Sequence, residues 1–122
     1  MHEFSMASQI VEKVLGEAEK HGAKSIEEVV LLVGELTLLN HEQLRFSYNV
    51  LAKGTILEGS KLTINPIEAE VMCPECGFHG RPEYSDDPSL HLAPFFLCPR
   101  CGGPVKILRG RELIIKRIRM KI

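Results

Sequence analysis

Two Cys-Pro-x-Cys pairs, Cys73-Pro-Glu-Cys76-Gly and Cys98-Pro-Arg-Cys101-Gly-Gly, constrain this chain more than any other feature; 21 residues, 77–97, separate them. Each tight CxxC turn presents two thiolates from one loop. Two such turns supply the four soft donors that a tetrahedral Zn2+ ion takes, with Zn–S near ~2.3 Å. All four positions are cysteine, so the expected site is closed and structural rather than catalytic. The glycines after Cys76 and Cys101 permit positive φ and let backbone N–H groups approach the sulfurs. Two other readings use the same residues. A rubredoxin-like iron also suits tetrahedral thiolates. A thioredoxin-like redox pair needs one CxxC at the start of a helix, and two matched pairs with glycines behind them argue against it.

A cytoplasmic location is expected, and thiols stay reduced there, so the four cysteines read as metal ligands rather than disulfides. No apolar run reaches the roughly 18 residues that span a bilayer, and the amino terminus lacks the basic-then-apolar order of a signal peptide. The chain of 122 residues is 44% hydrophobic and 25% charged, which suits one compact domain with a small appendage.

Periodicity places the elements. Residues 5–21 read as a helix with Met6, Ile10, Val14 and Ala18 on one stripe, Ser5 as its cap and Gly22 at its end. Residues 26–36 are β-branched and nearly continuously apolar, which suits a central strand covered on both faces. Asn40 with Gln43 forms a capping pair for a second helix over 41–52. Residues 61–72 alternate with a change of phase at Pro66, which suggests a bulge or an edge. Residues 111–122 form a last strand with Ile114, Ile118, Met120 and Ile122 on its buried face and Arg117, Arg119 and Lys121 on the wet one.

Between these strands, residues 73–104 hold all four cysteines, nearly all the prolines and no periodic pattern. That segment cannot build its own hydrophobic core. The expected fold is therefore α/β: two helices packed on a small mixed three-stranded sheet, with an inserted zinc-knuckle lobe resembling a zinc ribbon. Residues 1–72 with 105–122 form one domain and residues 73–104 the other.

The amino terminus offers a different donor set. The α-amine of Met1, the backbone nitrogens of His2 and Glu3 and the His2 imidazole can close consecutive chelate rings. Ni2+ and Cu2+ favour such square-planar nitrogen sets. Two deprotonated amides would neutralise the ion beside the positive end of the first helix. Taken alone, an early histidine is more often a solvated terminal side chain.

Both features together resemble the HypA family of hydrogenase nickel-incorporation proteins. The resemblance is carried by Met1-His2-Glu3, Gly34-Glu35-Leu36, Leu44-Arg45-Phe46, Gly54-Thr55-Ile56-Leu57-Glu58-Gly59, Leu62-Thr63-Ile64 and the two knuckles. It implies Ni2+ as cargo on His2, with the Met1 amine and the amides of His2 and Glu3 as backbone partners. It implies structural Zn2+ on Cys73, Cys76, Cys98 and Cys101. It further implies a non-enzymatic delivery protein that works with a HypB-type GTPase toward the large subunit of a [NiFe] hydrogenase; a monomer or weak dimer is expected. His91, in the long loop between the knuckles, is offered as an extra nickel ligand in preference to His79; an exposed loop histidine is the plainer reading of both. His21 and His41 are explained by their places at helix ends.

Charge suggests a rival. Residues 98–122 carry eight Lys/Arg and one Asp/Glu, as in a zinc-ribbon nucleic-acid- or protein-binding module. That segment lacks the interleaved aromatics of a single-strand binder, and a strand folded back on the acidic first part would match its charge internally. Arg100 and Lys106 would offset the −2 of a tetrathiolate zinc. No nucleic-acid or membrane partner is therefore expected. An enzyme is disfavoured because no nucleophile–base pair, phosphate loop or open metal site is visible.

Overall fold

The computed structural model describes residues 2–84 and 96–122. Helix α1 (His2–Lys20) leads to strand β1 (Ser25–Gly34), a short 3-10 turn (Glu35–Thr37) and helix α2 (His41–Ala52). Strands β2 (Lys61–Ile67), β3 (Glu70–Met72), β4 (His79–Gly80), β5 (Glu83–Tyr84), β6 (Phe96–Leu97), β7 (Lys106–Arg109) and β8 (Leu113–Lys121) follow. The main sheet has the order β2-β1-β8, with β2 parallel and β8 antiparallel to β1, so the expected mixed three-stranded sheet is present. A second sheet has the order β4-β3-β7, and β5 pairs with β6.

Both helices lie on one face of the main sheet. Ala7, Ile10, Val14 and Ala18 of α1 meet Leu44 and Tyr48 of α2 over Val29, Leu31 and Val33 of β1. Burying side chains of this size contributes about 1.5–3 kcal/mol each, an upper estimate against an extended chain. The strand is thus central but not covered on both faces by helices. On its other face Val30 is buried between Thr63 and Arg117 of the flanking strands.

Local chemistry explains most boundaries. The Asn40 side chain accepts the Gln43 N–H at 2.9 Å and caps α2, a contact worth about 1 kcal/mol. At the far end of α1, Ala23 N–H reaches the Ala18 carbonyl and Gly22 N–H the Glu19 carbonyl, with Gly22 at φ 65°. That is a Schellman ending.

Two expectations are corrected, and one of two alternatives at Pro66, the edge, holds. Helix α1 begins at His2, so Ser5 lies inside its first turn and is not the cap; an acidic Glu3 in that turn suits the positive helix end. The phase change near Pro66 is not a bulge, because the β1–β2 register runs unbroken through Pro66. β2 is an edge strand that tolerates the proline, and the parity resets where the chain leaves one sheet for the other, between β2 and β3. In β8 the register slips between Arg117 and Ile115, leaving Lys116 as an extra residue. The bulge puts Leu113, Ile115, Ile118 and Met120 against the core and turns Ile114 outward, 48% exposed. Ile122, also expected inside, is exposed.

Among the described residues no helix is long and apolar enough to cross a membrane.

Candidate metal centres

The two knuckles are copies of one backbone motif. Cys73 N–H donates to the Phe78 carbonyl and Gly77 N–H to the Cys73 carbonyl; Cys98 N–H donates to the Gly103 carbonyl and Gly102 N–H to the Cys98 carbonyl. Each chain reverses at a glycine with positive φ, Gly77 at 80° and Gly102 at 75°, as only glycine does without steric cost. The first knuckle hangs from β3 and β4, and the second leads into β7, so the second sheet sets one against the other.

That arrangement brings the four sulfurs together. They all lie within 4.8 Å of one another, with Cys73–Cys101 and Cys76–Cys98 each at 3.5 Å. A tetrahedron with Zn–S near 2.3 Å has edges of about 3.8 Å, so the donor set fits Zn2+. Cys73 and Cys98 are buried, while Cys76 and Cys101 face outward.

Electrostatics agree. Burial pushes the Cys98 thiol up, but the backbone N–H groups of Cys101 and Arg100 outweigh it and hold the thiol at about 7. Both N–H groups reach the sulfur at 3.4 Å. The Gly103 backbone N–H favours the Cys101 thiolate, yet the adjoining Cys73 thiol and burial leave it pushed up to about 12. Four thiols this close cannot all ionise unaided. A divalent cation would supply the missing charge and release their protons.

The other expected centre is placed only in part. His2 is the first residue of α1 and its side chain is exposed. The amides of His2 and Glu3 lie in the first helical turn, where N–H groups have no acceptor in the helix. Met1 and His91 lie outside the described residues. His79 is 3.3 Å from the Glu70 carboxylate, which Arg109 also reaches at 3.3 Å; a structural role suffices for it. His21 bonds the Glu17 carbonyl through Nδ1 at 2.8 Å, and His41 opens α2.

The basic segment is partly matched within the chain. Arg119 meets Glu27 at 3.1 Å and Glu28 at 3.6 Å, and Arg109 meets Glu70.

Periodicity and motifs missed the joint between the two sheets. The Glu35 carboxylate accepts the Ala69 N–H at 2.9 Å and pairs with Arg81 at 2.7 Å. Neither residue carries a local pattern that marks the contact; Glu35 stands out only within the Gly34-Glu35-Leu36 motif.

Comparison with known proteins decides the family. Residues 1–120 match the family described as "Hydrogenase/urease nickel incorporation, metallochaperone, hypA". The chain belongs to the HypA family. It is 43% identical over 122 residues to the hydrogenase maturation factor HypA of Methanothermobacter thermautotrophicus, covering 99% of this chain and 98% of that protein. It is 38% identical to the HypA of Archaeoglobus fulgidus, over 100% of both chains. The solution structure of the Ni metallochaperone HypA from Helicobacter pylori aligns with a TM-score of 0.63 at 21% identity, over 98% of this chain and 97% of that one. At that identity the likeness speaks for the HypA fold alone.

Proposed function

We propose that this HypA-family chain is a nickel metallochaperone that carries Ni2+ at its amino terminus and delivers it during maturation of a [NiFe] hydrogenase. The observation that carries the reading is the family match over residues 1–120, on a chain whose His2 is exposed at the very start of α1. His2 supplies the imidazole, and the Met1 amine with the backbone nitrogens of His2 and Glu3 completes the set. His91 is an additional candidate ligand. Cys73, Cys76, Cys98 and Cys101 hold a structural Zn2+. Residues 1–72 with 105–122 carry the nickel and residues 73–104 the zinc, with β3 and β7 as the joint. A HypB-type GTPase and the hydrogenase large subunit are the proposed partners, in the cytoplasm, and no chemical step is catalysed.

The terminal position suits transfer. The chelate ring joining the His2 and Glu3 nitrogens closes with a nearly eclipsed backbone, whereas a helix holds ψ at about −42°. Loading must therefore unwind the first turn, and only that turn, because its amides lie outside the helical ladder. Refolding of the turn favours release. Amide ligation also expels protons, so affinity rises with pH.

The test is a calorimetric nickel titration of tag-free, zinc-loaded protein beside His2→Ala. The expected result is one tight site lost in the variant, with similar weakening when the α-amine is acetylated. Equal stoichiometry and affinity in all three would remove the assigned site.

A further inference from the structure

Neither metal accounts for the groove between helix α1 and the free edge of strand β8. β8 pairs with β1 on one side, and among the described residues no strand pairs with its other side. Alongside it runs a cavity of about 780 Å³ walled by α1 and β8. A second space of about 340 Å³ continues it toward the start of α1, sharing Lys13 and Ile115. The walls span α1 from Met6 to His21, about 22 Å of helix. That length takes about six or seven residues of extended chain.

Two observations say what fits there. The first is charge. Lys13 and Lys20 line the groove from α1 and Lys116 lines it from β8, with Arg117 at its rim, opposite Val30 on the sheet's other face; the carboxylate among them, Glu17, already pairs with Lys20 at 3.6 Å. The groove floor between them is apolar, formed by Ile115, Ile118 and Met120. The second is Gly16, in the middle of α1 and on the groove wall. A glycine inside a helix is destabilising relative to alanine. Its backbone gives no reason for it, because a Cβ at Gly16 would meet nothing within 4 Å. Lysines on a free edge guard against self-association, which explains the charge but not the glycine. A missing side chain in a groove wall admits the close approach of another backbone.

We propose that the α1–β8 groove binds an extended, acidic segment of a partner polypeptide, which adds a strand to the free edge of β8. Main-chain hydrogen bonds along the edge supply affinity, and alternate side chains meet the apolar floor and the cationic rim. A second copy of this chain is a poor occupant. Pairing β8 with itself would bring Lys116, Arg117, Arg119 and Lys121 against like charges. The inference is independent of the nickel assignment and survives its failure.

The probe is a synthetic capped peptide of about eight residues, alternating isoleucine or valine with aspartate or glutamate. A counterpart carries lysine in place of each acid. Each is titrated into the 15N-labelled, zinc-loaded full chain. The acidic peptide should shift the amide signals of residues 114–119 and of α1 around Gly16, and slow hydrogen exchange at the outer edge of β8. The lysine peptide should not bind. Lys116→Glu combined with Arg117→Glu should weaken binding roughly tenfold or more. Gly16→Leu should weaken it to a similar extent while melting no lower than the parent, since the added side chain meets only open space. The proposal is overturned by equal binding of the two peptides, by shifts confined to other surfaces, by unchanged affinity in both variants, or by self-association through β8.

Discussion

The carboxylate of Glu3 accepts the backbone N–H of Asn40 at 3.0 Å. In a complete capping box that N–H would be taken by the side chain three residues on. Here the Gln43 N–H donates to the Asn40 side chain in the forward half of the cap, and Glu3, 37 residues earlier, provides the acceptor for the Asn40 N–H. One residue of the proposed nickel terminus therefore ties the starts of both helices together.

That tie should be pH-dependent. The Asn40 N–H, as the largest cause, holds the Glu3 carboxyl below its ordinary 4.5. A depressed carboxyl stabilises the folded form above its unfolded pKa and loses that effect as pH falls through the folded value. Glu3→Ala should speed hydrogen exchange at the Asn40 amide near neutral pH and leave it unchanged in acid, where the parent carboxyl is protonated. Equal exchange at neutral pH would show that the contact is not formed in solution.

Gly34, the last residue of β1, has no room for a side chain. A Cβ there would overlap the carbonyl of Gly110, and it would also crowd the Glu112 amide. The chain cannot move aside, because Gly34 N–H donates to the Glu112 carbonyl and Leu36 N–H to the Gly110 carbonyl, both at 2.7 Å. Gly34→Ala should lower unfolding free energy by about 3 kcal/mol or more. Urea melts with an unchanged slope would measure it.

Glu35 holds the two sheets together. Glu35→Ala strands the N–H of buried Ala69, a loss of about 1–3 kcal/mol. Glu35→Gln keeps an acceptor and gives up the charge pair with half-exposed Arg81, a cost of about 1 kcal/mol or less. Denaturant melts and exchange at the Ala69 amide should rank the two variants in that order.

The cysteine cluster should be separable from the main core. The buried set around Val14, Leu31 and Tyr48 contains no cysteine. Cys98→Ala should therefore abolish stoichiometric zinc, measured by elemental analysis, while far-ultraviolet circular dichroism retains both helices. In the parent, Co2+ exchanged for zinc should show the visible bands of a tetrahedral thiolate site. Loss of helix in the variant would mean that the lobe supports the whole fold.

What the amino-acid sequence determined by itself is what neighbouring residues decide. The knuckle glycines, the Asn40 cap, the Gly22 ending and the apolar run of β1 all depend on φ preferences, a side chain within four residues, or a repeat of 2 or 3.6. The two CxxC pairs announced their tetrahedron because ligand number and chemistry are carried in the motif. Only the tertiary structure decided that α1 starts at His2, that Ile114 turns outward, that the phase change at Pro66 is a passage between sheets, and that Glu35 and Arg81 form a joint. Each of these depends on a partner far along the chain: Asn40 for Glu3, β1 for the slip at Lys116, β7 for β3, Arg81 for Glu35. A bulge or a buried acceptor is chosen by what lies opposite it in space, and a linear pattern holds no record of that neighbour.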